Sequence, residues 1–534
     1  MGKRGGGICR IYGQLLKMLS NQTEKWLNWK VISLVSVIIL ATYRFYIISW
    51  QFKFYHLLVP PSPDLAAHLN MTDMFINGTA KLGFYPPLLH IIAAFFAKAF
   101  HVGSLDFFNF IAPFWIPLAI IVFYILVCKL FDYKIAFWST LVFAFVSSSP
   151  LLNFGDAQYA DILGYNLVGP FYIIALISLM RNFKYWKLIL MFLLFGLFLS
   201  AHNFSSVLIY IVSFLSVIIY CLTSYKIDKT QFKNSFFVLI SLCVGTVLFL
   251  TLSKIFFGPL IPRAVESLVA FNPLIKNSTA AVLDYNSIST LLPPFLEFTG
   301  LLGIAFLLLR ISRDKSRFSS IFVIVWIVTI WLFSRSSLFV LPQRIFREIP
   351  LPLSIASGIL ISDLLPILKN NWYKIGFIAL FGYLVIINNS QVAVSPFLIP
   401  DGFKNQVWFR DIDQQKYEYI VANVNKSDKI LANFSNPILR YKLNMAGYGV
   451  SGFASASPNN PSASEKEEFV TNKISASGAR YLFIGVIPFG VNPEVYFSQF
   501  VEYENSTKLL NLYKYQEKDL VKEFADGSKL ILIN

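Results

Sequence analysis

The chain has 534 residues, 56% of them hydrophobic and 14% charged, with a formal net charge of +16. Soluble domains carry about 25% charged residues, so an ordinary soluble enzyme is excluded. Apolar runs of about 20 residues, the length that crosses a bilayer, recur through the first three quarters. The basicity is not a nucleic-acid signal either, because the excess positive charge lies in loops between apolar runs. Cys9, Cys128, Cys221 and Cys243 all precede residue 244, so no disulfide framework is expected further on.

Residues 1–30 are basic and lead into VISLVSVIILATYRFYIISW. That run is too long for a signal peptide, contains Arg44 and has no small-x-small cleavage site, so it reads as an uncleaved first span with its basic end in the cytoplasm. Spans are predicted at 31–50, 105–128, 134–149, 166–180, 187–201, 204–222, 235–256, 289–309, 319–338, 350–366 and 374–393. The stretch PLLHIIAAFFAKAF, 87–100, is decided by charge. If it crossed, the basic loops CKLFDYK, RNFKYWK, YKIDKTQFK and RISRDKSR would face outward. As an interfacial helix it leaves all four in the cytoplasm, as the positive-inside rule asks. The expected protein is therefore an α-helical polytopic membrane protein of about 11 spans plus interfacial helices, in the cell membrane or an endomembrane, with a cytoplasmic N-terminus.

From about residue 395, charged residues and turn formers increase. The strand-like runs KILANFS, ARYLFIGVIPF, KLLNLYKYQ and SKLILIN, with a helical KYEYIVANV, predict an external soluble α/β domain over 395–534 behind a multispan domain over 31–394.

Polar residues of the membrane half gather on the outer side. After the first span, Pro60, Pro61 and Pro63 keep the chain extended, and Asp64 is placed to cap a helix with His68 four residues on, on the same face. Lys81, Gly83, Tyr85, Pro86, Pro87 and Leu88 follow, with His90 on the interfacial stretch. Taken alone, Asp64 and His68 make either a capped surface helix or a catalytic pair. Further outer residues are Asp156, Tyr159, Asp161 and Tyr165 in the second loop and His202 in the SAHNF turn. Arg263 and Lys276 lie in the long loop 257–288, and Arg344 and Arg347 before the tenth span. Arg44 and Glu297 fall inside apolar runs, where each needs a buried partner or a polar cavity.

An aspartate soon after the first span, a histidine four residues later and Gly-x-Tyr-Pro-Pro-Leu about 20 residues beyond resemble the first external loop of the GT-C membrane glycosyltransferases. The multispan body, the late arginine-bearing outer loop and the small external domain extend that resemblance over much of the chain. It implies transfer of a sugar from a polyprenyl-phosphate-linked donor to a glycan, lipid or protein acceptor on the outer face. On that reading Asp64 is the general base and His68 orients it or binds acceptor. Lys81, Arg344 and Arg347 hold donor phosphate, for which arginine's planar fork is suited. Tyr85, Asp156, Asp161 and His202 touch sugar or acceptor. The arginines alternatively meet lipid headgroups or Glu348, and the loop 257–288 covers the donor.

The first outer loop has no Asp-x-Asp and the external domain no Trp-Trp pair, which oligosaccharyltransferase catalytic subunits carry. No metal ligand and no cofactor are therefore assigned, with a divalent cation left as the alternative, and a single-sugar transferase is favoured over bulk glycan transfer. The rival outside catalysis is a lipid or solute transporter, which should show repeated halves and midplane charges. Neither is seen.

Overall fold

The computed structural model describes residues 29–54, 58–59, 65–80, 86–146, 158–225, 227–256, 292–311, 317–335, 345–368, 370–394, 409–432, 437–452, 472, 474–484 and 519–533. Helix α1, Trp29–Phe54, is followed by α2, Leu65–Ile76, and α3, Leu88–Phe100. The seven-residue α4, Ser104–Phe110, is bent 104° from α3, and a 3-10 turn, Ala112–Phe114, leads into α5, Trp115–Leu130. Then come α6, Tyr133–Phe145; α7, Tyr159–Arg181; α8, Tyr185–Ala201; α9, Asn203–Ser224; and α10, Lys229–Phe256. The bundle finishes with α11, Pro294–Ile311; α12, Arg317–Ser334; α13, Pro350–Ile367; and α14, Asn371–Val394.

A helix lies over each of the eleven segments predicted to span. Among the described residues, six of them are by length and apolarity alone able to cross a bilayer: α1, α7, α9, α11, α12 and α13. Helices α5, α6 and α8 are apolar but shorter, and the bent α3–α4 pair is either a broken span or a re-entrant hairpin. The predicted span at 105–128 is thus divided, because Pro113 follows a break at Ile111 and the chain turns before α5 begins.

The bundle core is one apolar cluster running from Val37 through Phe123, Phe143, Phe198 and Trp326 to Phe381. Its tightest seam joins α11, α13 and α6. A Cβ at Gly303 would collide with the Ala356 carbonyl and one at Gly358 with Ser139, so these backbones approach closer than any side chain allows. At the other end of the α11–α13 pair, Arg310 holds Asp363 with a two-pronged ion pair, Nε–Oδ2 2.7 Å and Nη2–Oδ1 2.5 Å. Arg44 is 2% exposed, and its Nε donates to the Ala144 carbonyl at the end of α6, 2.5 Å away. Glu297 sits in the first turn of α11 and is only partly buried, where the helix dipole favours an acid.

A small sheet follows the last long helix. Helix α15, Asp411–Asn423, precedes β1, Ile430–Ala432; α16, Pro437–Met445, leads to β2, Val450–Gly452; and β3, Tyr481–Ile484, β4, Leu520–Glu523, and β5, Lys529–Leu532, complete it. The order is β2-β1-β3-β5-β4, with β1 parallel to both neighbours and β5 antiparallel to both of its own. Three predicted strand runs and the helix are present, and KLLNLYKYQ lies outside the described residues. Strands β2 and β4 were not expected, because VSG is too short and LVKE too charged to register as strands.

The sheet domain packs against the first outer segment. Phe409, Ile438, Leu439 and Tyr441 share an apolar cluster with Leu65, Leu69, Leu89, Phe107 and Phe108. The Tyr441 hydroxyl donates to Asp73 Oδ2 at 2.8 Å and lies 2.8 Å from Ser104 Oγ. The Leu58 amide donates to the Phe409 carbonyl at 3.0 Å.

Candidate active site

Three helix starts meet at one end of the bundle. Helix α7 opens with Tyr159–Asp161 and continues as a π-helix over Ile162–Val168 before becoming regular. The wider π coil leaves side chains of successive turns out of their usual stacking, a distortion often found at functional sites. His202 caps α9, with Nδ1 2.7 Å from Ser205 Oγ and accepting from the Ser205 amide at 3.4 Å. Glu348 lies in the tight turn that precedes α13, whose Pro350 at the first position suits a helix start.

These elements bring Asp161, His202 and Glu348 together, one donor atom of each lying within 4.8 Å of the others. His202 Nδ1 is 3.3 Å from Asp161 Oδ1. Ser205 Oγ lies 3.0 Å from Asp161 Oδ1 and also contacts Glu348 Oε1, and the Tyr165 hydroxyl donates to the Glu348 backbone carbonyl at 2.6 Å. Asp161 and Glu348 are 7% and 1% exposed. Burial, and then the neighbouring Asp161 charge, push the Glu348 carboxyl well above the usual range, against the hydrogen bond from Ser205.

Gly164 is required at this junction. A Cβ there would lie 2.5 Å from His202 Cβ and 3.2 Å from its backbone nitrogen. The start of α9 can therefore seat against the π turn only if residue 164 has no side chain.

The donor set fits a divalent cation. Two carboxylates and an imidazole suit zinc or manganese, and Glu348 Oε2 is buried with no hydrogen-bond partner among the described residues. Asp161 and His202 were expected to touch sugar or acceptor, with no metal ligand assigned. Their shared contact with Glu348 makes a ligand set the sequence did not disclose, because the three lie 41 and 146 residues apart.

Beside it, in the same cluster as the sheet domain, His68 Nδ1 is 3.0 Å from His90 Nε2, and the rings are stacked 5.3 Å apart. Both are buried, and Phe108 and Tyr159 enclose His68. The pair joins α2 to α3, and Asp64, which His68 was expected to orient, lies outside the described residues. Tyr159 and Tyr165 are fully or nearly fully buried in α7, where an accessible loop was expected. Arg347 is partly buried next to Glu348. Asp64, Lys81, Tyr85, Asp156 and Arg344 lie outside the described residues, as do Arg263 and Lys276.

No protein-family model and no curated protein sequence matches the chain. Its fold is that of the GT-C membrane glycosyltransferases. The chain is similar to the oligosaccharyltransferase of Archaeoglobus fulgidus in its apo form, with a TM-score of 0.58 at 11% identity, over 84% of this chain and 69% of that one. The archaeal oligosaccharyltransferase AglB from Archaeoglobus fulgidus, in complex with an inhibitory peptide and a dolichol-phosphate, matches with a TM-score of 0.55 at 13% identity, over 85% of this chain and 69% of that one. ArnT from Cupriavidus metallidurans bound to undecaprenyl phosphate matches with a TM-score of 0.51 at 13% identity, over 94% of this chain and 97% of that one.

Proposed function

We propose that the chain is a membrane glycosyltransferase that moves a sugar from a polyprenyl-phosphate-linked donor to an acceptor on the outer face. The observation that carries this reading is the Asp161–His202–Glu348 cluster, gathered by three helix starts at one end of a GT-C fold. Polyprenyl phosphates accompany two of the similar proteins, which supports a lipid-linked donor. The acceptor oxygen attacks the anomeric carbon, the bond from that carbon to the phosphate oxygen breaks, and its electron pair leaves with the phosphate. The acceptor's proton passes to Asp64, the general base of the proposal, a role that contributes about 10²- to 10⁴-fold. Arg344, Arg347 and Lys81 stabilise the departing phosphate. Tyr85 and Asp156 contact sugar or acceptor.

Asp161, His202 and Glu348 would hold a divalent cation. Bound there, it would supply positive charge for a phosphate oxygen. The protein's own part is to gather these donors and to hold Glu348, its carboxylate by Ser205 and its backbone carbonyl by Tyr165.

The test is transfer of labelled sugar from a polyprenyl-phosphate donor in reconstituted membranes. Asp64→Asn should cut turnover by roughly two or more orders of magnitude while leaving expression and melting temperature near wild type. Glu348→Gln should abolish the rise in melting temperature on adding zinc or manganese. Near-normal turnover in folded Asp64→Asn would reduce that aspartate to a helix cap. An unchanged metal response in Glu348→Gln would remove the cation from the proposal.

A further inference from the structure

A cavity of about 480 Å³ opens at the end of the bundle away from the Asp161–His202–Glu348 cluster. Two of the helices that build the candidate active site, α7 and α9, reach its wall with their far ends. Met180 and Arg181 end α7, Tyr220 is near the end of α9, Gln231 and Phe318 begin α10 and α12, and Phe131 follows α5. Asp161 and Arg181 are 20 residues apart on one helix, about 30 Å at 1.5 Å per residue. That equals the thickness of a bilayer's hydrocarbon core. The cavity therefore sits at the headgroup level of the opposite leaflet, where a donor phosphate held near Asp161 cannot reach.

The lining has two chemistries. Phe131, Ile177, Met180 and Phe318 make an apolar wall. Arg181 is its one charged member among the described residues, and it is exposed. One of the five guanidinium donors goes to the Lys129 carbonyl at 2.9 Å, which closes the end of α5. The Tyr220 hydroxyl donates to Gln231 Oε1, which orients the Gln231 amide nitrogen as a further donor at the wall. Lys129, Lys184 and Lys187 lie on the same end of the bundle, at the termini of α5 and α8. Lys187 Nζ donates to the carbonyls of Ser178 and Asn182 and holds its charge at the end of α7.

We infer that this cavity is a binding site for an anionic glycerophospholipid, its phosphate on Arg181 and the first part of an acyl chain against Phe131, Met180 and Phe318. Arginine's fork matches two phosphate oxygens. The apolar wall selects a lipid over free phosphate. The surrounding lysines disfavour a headgroup that carries its own cation, so phosphatidylglycerol should bind and phosphatidylcholine should not. A polybasic surface at that leaflet contributes in the same direction.

The experiment is native mass spectrometry of the full chain, purified in mild detergent and titrated with phosphatidylglycerol, phosphatidylcholine or inorganic phosphate. Wild type should retain one phosphatidylglycerol at least tenfold more tightly than phosphatidylcholine. Arg181→Gln should lose most of that preference, and Arg181→Lys, which keeps the charge and the fold but lacks the fork, should fall between. Melting temperature should rise with phosphatidylglycerol in wild type and not in Arg181→Gln. Equal retention of both lipids would overturn the inference, as would a preference untouched by Arg181→Gln. Stabilisation by inorganic phosphate equal to that by lipid would make it a free-anion site and overturn the lipid assignment.

Discussion

Gly164 shows how one residue sets the geometry of the candidate site. Its missing side chain lets His202 press against the π turn of α7, and the same contact brings His202 within 3.3 Å of Asp161. Gly164→Ala must push the start of α9 away or unwind the π turn. Overpacking of this kind costs roughly 1–3 kcal/mol. We expect the variant to fold with a lowered melting temperature and to lose most metal-induced stabilisation and turnover together. A variant with lowered stability but an unchanged metal response would show that the contact only packs. The sequence disclosed part of this site. Asp161 and His202 stood out as polar residues beside apolar runs, and Arg347 as an arginine before a span. Glu348 was passed over as a partner for the arginines, and Ser205 was one serine among many. Nothing in the order of residues says that the starts of α7, α9 and α13 coincide in space.

At the scale of elements, Tyr441 adds hydrogen bonds to the apolar cluster and the Leu58–Phe409 bond that tie the sheet domain to α2–α4. Tyr441 bridges α16 to Asp73 on α2 and Ser104 on α4 through its single hydroxyl. Tyr441→Phe leaves Asp73 and Ser104 without that partner, at a cost of about 1–3 kcal/mol. Faster hydrogen exchange in both α2 and α16 is the expected result. Exchange that rises in α16 alone would mean that the docking rests on the apolar cluster. Within the sheet domain, Lys416 donates to Asp413 at 2.9 Å and to Asp526 at 2.5 Å. Burial alone would raise Asp526, but the hydrogen bonds from Lys416 and Ser528 outweigh it and hold the carboxyl below its ordinary value. A depressed acid stabilises the fold above the unfolded value, about 3.9, and that stability is lost as pH falls through the folded value. Proteolysis within 409–533 of the full chain should therefore accelerate below about pH 4. Asp526→Asn should be more susceptible at neutral pH, with a smaller acid effect. A wild-type profile flat down to pH 3 would remove this ion pair from the account.

For the whole molecule, the positive-inside rule applied to the four basic loops predicts that the N-terminus and the sheet domain lie on opposite sides of the membrane. Cysteines introduced at Ser316 and Ser464 should then label from opposite sides of sealed cells. Labelling of both from outside would overturn the expected orientation and make the α3–α4 pair a crossing. The class of protein, the positions of the long helices and three of the strands were legible from the sequence alone. Apolar run length and period-two patterning are local properties, and the bilayer or the sheet reads them residue by residue. The bend between α3 and α4, the π turn in α7 and the burial of His68 against His90 were not legible, because each depends on what packs across the gap. The meeting of Asp161, His202 and Glu348 belongs with them. Helices of similar apolar composition can be bundled in many orders, and only close packing at residues such as Gly164, Gly303 and Gly358 selects the one in which those three side chains meet.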